Sequence, residues 1–157
     1  HGESQDGPKG YESYSNEQHQ KSIFDIKAAV EFQNKEGHAP LFICGASIGA
    51  NLCLYYLTQS KLVNKAILLS PGLNYKNIEA ISLAKKIPKE KEIFILAAKD
   101  DLRQLGTASD QSTKIFEALK CKKQIEIFKS GGHGTQILES HPRIMDELIN
   151  WLKANHF

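Results

Sequence analysis

Leu41-Phe42-Ile43-Cys44-Gly45-Ala46-Ser47-Ile48-Gly49-Ala50-Asn51 is the stretch on which the fold turns. Leu41 to Cys44 is a short apolar run with the length and composition of a buried strand. It ends in Gly-Ala-Ser-Ile-Gly and passes directly into a segment where Ala50, Cys53, Leu54 and Leu57 recur at helical spacing. Gly-x-Ser-x-Gly between a strand and a helix is the arrangement an exposed serine nucleophile needs. The turn is so tight that its neighbours must be small, and the serine is left at its tip. Gly45 and Gly49 are therefore expected to remove side chains where strand and helix approach. The Ile48 N–H is expected to point to where an oxyanion forms, aided by the partial positive charge of the helix start. The competing reading is a glycine-rich turn whose serine only caps the helix.

Working outward, the first fifteen residues are rich in Gly, Ser, Tyr and Pro and read as loop. From about Asn16 to Lys35, Ile23, Ile26 and Val30 form one helical face, and Gly37 and Pro40 end the segment. The helix after Ser47 is expected to run to about Ser60. Val63 to Leu69 is a second apolar strand, closed by Ser70-Pro71-Gly72. Lys76 to Lys86 reads as a weaker helix that stops before Pro88. Ile93 to Ala98 is a third strand, with Asp100 and Asp101 just past its end. A helix over about 107–120 and a strand over Gln124 to Phe128 follow, and then Ser130-Gly131-Gly132-His133-Gly134. The last helix is expected to start near Ser140, with Pro142 in its first turn, and to bury Ile144, Leu148, Trp151 and Leu152.

Strand and helix thus alternate four times, and the strands are apolar runs. This predicts an α/β fold: a mostly parallel sheet with helices on both faces, joined by right-handed crossovers, in a single domain over residues 1–157. In such sheets ligands bind beyond the carboxyl ends of the strands. Ser47, Asp100, Asp101 and His133 all fall there.

Composition narrows the class. The chain has 157 residues, 41% hydrophobic and 24% charged, with a formal net charge of +2. That balance is ordinary for a globular protein and too mild to argue for nucleic acid or a membrane surface. No apolar run approaches the roughly 20 residues of a membrane span. Three cysteines, Cys44, Cys53 and Cys121, show no metal-site or disulfide spacing. The first two read as small buried hydrophobes, and a reducing compartment, the cytoplasm, is the expectation.

A serine nucleophile needs a base, and the base an orienting acid. His133 is the best base, since the glycines around it leave the imidazole unobstructed. His1 and His156 lie at the ends, His19 and His38 flank the first helix, and His141 reads as a solvated or capping residue. For the acid, counting from Ile93-Phe94-Ile95-Leu96 favours Asp101 over Asp100. The other aspartate is then solvated or hydrogen-bonded to the loop.

The order Ser47, Asp101, His133 on an alternating chain resembles the α/β-hydrolase superfamily from end to end. The matching pieces are Gly-Ala-Ser-Ile-Gly at 45–49, Leu-Ala-Ala-Lys-Asp-Asp at 96–101 and Gly-Gly-His-Gly at 131–134. His1-Gly2-Glu3-Ser4 is similar to a Gly-His-Gly-x-Ser segment found after an early strand in many members. The resemblance is closest to small esterase-like and dienelactone-hydrolase-like proteins. It implies Ser47 as nucleophile, His133 as general base and then acid, Asp101 as orienting acid, and the Ile48 N–H as one oxyanion donor. It implies no cofactor and no metal, and a small-molecule ester as substrate. Members have several strands before this point, so the chain reads as the C-terminal part of a longer one, which would associate with its missing front or with a second chain. A peptidase or thioesterase uses the same residues. A non-catalytic hydrolase-like scaffold is the second class. A nucleotide-binding domain is disfavoured, because Gly-Ala-Ser-Ile-Gly lacks both the Gly-x-Gly-x-x-Gly turn and a P-loop lysine.

Overall fold

The computed structural model describes residues 10–154. His1-Gly2-Glu3-Ser4 and His156 lie outside the described residues. A short 3-10 turn (Tyr11–Ser13) leads to α1 (Asn16–Gln20), α2 (Ile23–Lys35), β1 (Leu41–Ala46), α3 (Ile48–Leu57) and β2 (Val63–Leu69). Next come β3 (Asn74–Tyr75), β4 (Ile78–Glu79), α4 (Ala80–Ala84), β5 (Glu92–Ala98), β6 (Leu102–Arg103) and β7 (Gly106–Thr107). The chain continues through α5 (Ala108–Ala118), β8 (Lys122–Phe128), α6 (Gln136–Ser140) and α7 (Ile144–Lys153).

β1, β2, β5 and β8 form one parallel sheet in that order. Strands laid down sequentially with right-handed crossovers send every connecting helix to the same face. The core divides accordingly. Ala66, Leu68, Ile93 and Ile95 pack with residues of α2, α3, α4 and α5. The alternate residues Ile67, Leu69, Phe94, Leu96 and Ala98 pack with Ile137 of α6 and Ile144 and Leu148 of α7. Both faces of β2 and β5 are covered from Ala66 and Ile93 onward, which is why Ala66–Leu69 and Ile93–Ala98 read as unbroken apolar runs.

The two outer strands behave differently. β8 begins at Lys122, two residues before the expected start, and its Lys-Lys-Gln-Ile-Glu-Ile-Phe alternates between exposed and half-buried positions. β1 lies at the other edge and is half-buried rather than buried. Cys44 is exposed, against expectation, while Cys53 and Cys121 are buried. The reason is geometric: on Cys44's side of β1, only Ala46 joins the cluster under α6 and α7. All three thiols are free, and burial pushes that of Cys53 up to about 12.

Three other expectations change. The first helix is two, α1 with a Ser15–Gln18 capping box and then α2. The helix expected over 76–86 is a β3–β4 hairpin followed by the short α4. Lys76 and Asn77 take φ of 51° and 64°, the two left-handed turn positions that let a two-residue hairpin match strand twist. Ser140 ends α6 instead of capping the last helix, and α7 begins at Ile144. His141, at φ −130° and ψ 65°, breaks the path between them.

Candidate functional site

Ser47 stands between β1 and α3 with φ 56° and ψ −124°. A non-glycine residue held there costs on the order of 1–3 kcal/mol, so its surroundings must impose the conformation. The Ser47 N–H donates to the Leu69 carbonyl at 2.9 Å, tying the turn to β2, and the Ala50 N–H donates to the Ser47 carbonyl at 3.0 Å. Its side chain makes no capping bond to α3. The capping reading therefore fails, and the hydroxyl is left to other work. Ile48 is the first residue of α3, so its N–H is one of the donors a helix start leaves unpaired.

Gly45 is compulsory. A Cβ there would lie 2.3 Å from the Gly49 carbonyl oxygen and 2.7 Å from Cys53 Sγ. Gly49 is not, since a Cβ there meets nothing within 4 Å among the described residues. The motif's two glycines thus differ: only at the first would a side chain collide across the strand–helix contact.

The strand ends are laced together. Just as Ser47 bonds to β2, the Ser70 N–H donates to the Leu96 carbonyl at 2.8 Å and the Lys99 N–H to the Phe128 carbonyl at 3.0 Å. The loops leaving β1, β2 and β5 thus each start hydrogen-bonded to the next strand. The residues that the sequence marks as acid and base, Asp101 and His133, sit on this rim. His133 Nδ1 lies 2.9 Å from Asp101 Oδ2. Asp100 serves the loop: its carboxylate accepts from the N–H groups of Gly131 and Gly132 at 3.1 Å. Buried Ser70 accepts from the Gly134 N–H at 3.0 Å, and Gln136 accepts from the His133 N–H at 2.7 Å. His141 braces the loop from outside, with Nε2 2.6 Å from the Ser130 carbonyl and its ring stacked on Phe128.

A Cβ on Gly134 would fall 3.2 Å from Ala46 Cβ, so the His133 loop presses on the residue beside Ser47. No hydrogen bond joins Ser47 Oγ to His133 among the described residues. In unliganded sites such bonds commonly tighten only when substrate binds.

Two neighbours carry no warning in the sequence. Arg103 pairs with Asp101: Nη2 donates to Oδ2 at 2.8 Å, and Nε stands 2.8 Å from Oδ1 as an ion-pair contact without hydrogen-bond geometry. Nη2 also contacts His133 Nδ1 and lies 3.1 Å from His133 Nε2. Burial alone would raise the Asp101 carboxyl, but hydrogen bonds and charge from Arg103, with help from His133, hold it below its ordinary value. Tyr75 is the second. Burial raises its phenol, against the pull of the Arg103 charge and the Ser47 hydroxyl. Its ring lies 5.7 Å from the Arg103 guanidinium carbon. Gly72 makes room, since a Cβ there would sit 2.6 Å from the tyrosine ring.

Buried Asn51 of α3 fixes the Tyr75 loop, donating to the carbonyls of Gly72 and Ile78 at 2.9 and 3.0 Å and accepting from the Gly72 N–H at 3.1 Å. A cavity of about 430 Å³ opens beside Ser47, walled by Tyr11, Tyr14, Ile48, Leu52 and Tyr75, with Ser22, His19 and Lys76 as its other polar residues. Among the described residues no group of three or more His, Cys, Asp or Glu is placed to hold a metal ion, and no helix is long and apolar enough to cross a membrane.

A family model described as "serine aminopeptidase, S33", of hydrolases, matches residues 1–97. No curated protein matches the chain in sequence. Among solved structures, an esterase from Pyrococcus furiosus superposes with a TM-score of 0.70 at 16% identity, over 90% of this chain and 63% of that one. An acylaminoacyl peptidase from Pyrococcus horikoshii gives 0.63 at 20% identity, over 82% of this chain and 27% of that one. The esterase domain of a Rhodothermus marinus protein gives 0.67 at 13% identity, over 82% and 66%. At these identities the likeness is one of fold, the α/β-hydrolase fold. The chain spans about three-fifths of the length of the Pyrococcus furiosus esterase.

Proposed function

The chain belongs to the serine aminopeptidase family of α/β-hydrolases, and we propose that it supplies the nucleophile, base and acid for cleavage of a carboxylic ester. The observation that carries this reading is the Asp101–His133 contact of 2.9 Å on the same sheet rim as the strained Ser47. In this reading Ser47 Oγ attacks the ester carbonyl carbon while its proton passes to His133 Nε2. Asp101 holds Nδ1 and so leaves the outer nitrogen to act as base. The Ile48 N–H stabilises the oxyanion as it forms. Collapse of the tetrahedral adduct expels the alcohol, protonated by His133. Water, deprotonated by the same nitrogen, then releases the acid from Ser47.

An ester is favoured over an aminopeptide by the cavity beside Ser47. An enzyme that trims free amino termini has to hold an α-ammonium, which calls for a carboxylate. Among the described residues that cavity offers Lys76 and His19 and no Asp or Glu. The test compares p-nitrophenyl butyrate with leucine p-nitroanilide, with Ser47→Ala as control. Ester turnover that disappears in the control, with little or no anilide turnover, is expected. Preferential anilide cleavage would refute the ester assignment, and activity surviving in Ser47→Ala would refute the triad.

A further inference from the structure

We infer that Tyr75 is a catalytic residue: its phenol donates a hydrogen bond to the oxyanion that forms when Ser47 attacks, as a side-chain partner of the Ile48 N–H. The inference rests on the serine-hydrolase reading above and adds a group to its machinery.

The first observation is where the phenol stands. Tyr75, Ser47 and Ile48 line one cavity. Tyr75 is half-buried, and among the described residues Ser47 is the one hydrogen-bonding side chain that acts on its hydroxyl. The guanidinium carbon of Arg103 lies 5.7 Å from the ring, but that group has donors only and cannot take the phenol proton. Burial outweighs the opposing Arg103 charge and keeps the phenol above its ordinary value, so at neutral pH it carries its proton and is a donor. A hydroxyl proton turns about its C–O bond. The same phenol can therefore serve Ser47 Oγ before attack and the neighbouring carbonyl oxygen after it. In the tetrahedral adduct Oγ is bonded to carbon and neutral, and the charge sits on that neighbour. A bond to the charged oxygen is the stronger one, so the contact gains strength on the way to the transition state, which is the condition for raising kcat.

The second observation is how firmly Tyr75 is held. It belongs to the small β3–β4 hairpin, in which Asn74, Lys76, Asn77 and Glu79 are exposed. A surface turn of this kind has little need of buried polar support, yet it receives a good deal. Asn51 and Gln111 are 0% and 5% exposed, and both spend their amides on its backbone. Asn51 takes the Gly72 N–H and the carbonyls of Gly72 and Ile78, and Gln111 Oε1 accepts from the Leu73 N–H at 2.9 Å. Gln20 Nε2 donates to the Lys76 carbonyl at 2.7 Å. The chain is thus fixed on both sides of Tyr75 by side chains from α3, α5 and α1. The ring lies against Gly72, where a Cβ would meet it at 2.6 Å. Asn51 sits on α3, the helix whose first residue is Ile48, so both proposed donors are referred to one rigid element. Fixing of this kind is what an oxyanion donor requires, because its benefit comes from not having to reorganise as charge develops.

The experiment measures kcat and KM for p-nitrophenyl butyrate, and the inhibition constant of butaneboronic acid, which adds to a serine oxygen as a tetrahedral anion. The chain is compared with Tyr75→Phe, which keeps the ring on Gly72 and removes only the hydroxyl, and with Ser47→Ala as control. In Tyr75→Phe kcat is expected to fall roughly 100-fold, the usual loss for one oxyanion donor, and the boronate to bind more weakly by a similar factor. KM should stay within about threefold, since the lost bond belongs to the transition state. A loosened site would weaken KM and the boronate alike, and a ring that only braces the loop would leave all three constants in place. A Tyr75→Phe variant that keeps kcat within about threefold, or loses kcat while the boronate affinity holds, overturns the inference and leaves the triad standing. Turnover by Ser47→Ala overturns the triad itself. Absence of both turnover and fluorophosphonate labelling at Ser47 in the unmodified chain overturns the two together.

Discussion

Gly45→Ala and Gly49→Ala change the same atom count in the same five-residue motif, and the structure expects opposite results. At position 45 the added methyl would stand 2.3 Å from the Gly49 carbonyl oxygen, 2.5 Å from its carbonyl carbon and 2.7 Å from Cys53 Sγ. Two of these are backbone atoms of the first turn of α3, which cannot swing aside as a side-chain end can. An ordinary carbon–oxygen contact needs roughly 1 Å more, so α3 must slide away from β1 or the Ser47 turn must open. Overpacking a tight site costs about 1–3 kcal/mol, and a collision with backbone belongs at the upper end, about 3 kcal/mol. Any such shift moves Ser47 relative to His133, so esterase turnover should fall by roughly 100-fold, the usual consequence of an ångström of misplacement. At position 49 the methyl meets nothing within 4 Å among the described residues. Alanine is the better helix former, so Gly49→Ala should leave stability unchanged or raise it by about 0.5–1 kcal/mol. Urea unfolding followed by the fluorescence of Trp151, the chain's one tryptophan, measures both. Equal destabilisation by the two variants, or a neutral Gly45→Ala, would show that the strand–helix contact is not what makes the motif glycine-rich.

Two further outcomes are expected. Asp101 is held below its ordinary value in the folded chain. Its contribution to stability is therefore complete above the unfolded-state value near pH 4 and is lost as pH falls through the lower folded one. The gap in urea midpoint between the unmodified chain and Asp101→Asn should be widest at neutral pH and close in acid; a gap that widens in acid would contradict the Arg103 clamp. Lys65 is 3% exposed, and its Nζ donates to the carbonyls of Trp151, Leu152 and Ala154 at 2.8, 3.3 and 2.6 Å, capping the end of α7. Lys65→Met should cost about 1–3 kcal/mol by leaving those acceptors unpaired, and unchanged urea unfolding would refute the capping role.

What could be read from the sequence, and what could not, follows from the physics of each segment. β2 and β5 announced themselves because both faces of their later parts, Ala66 to Leu69 and Ile93 to Ala98, are buried, so those residues are all apolar. Ser47, Asp101 and His133 could be placed on one edge because each lies just beyond the carboxyl end of a strand that the sequence marks. Arg103 stayed hidden because it lies in Lys99-Asp100-Asp101-Leu102-Arg103-Gln104, a string in which any charge looks solvated. Its role depends on a fork reaching back two residues. Tyr75 lies just before the helix expected over Lys76 to Lys86, so the hairpin that carries it was not seen. The Lys76-Asn77 turn lacks the Asn-Gly signature that marks hairpins. Asn51 reads as an ordinary helical residue, and only the packed structure shows its amide holding the loop that carries Tyr75. Ser140 has the composition of a cap, but His141 was taken up by Ser130 and Phe128, and the helix started later.

The lacing of the strand ends has a consequence for how such a site can change over time. The bonds from Ser47 to Leu69, Ser70 to Leu96 and Lys99 to Phe128 are all between backbone groups. The lacing itself therefore does not depend on side-chain chemistry, although Ser70 Oγ also holds the Gly134 N–H and Phe128 stacks on His141. Mutation can rewrite the loops residue by residue while their roots stay in register. A chain built this way can change its loops without first having to rediscover where Ser47, Asp101 and His133 should stand.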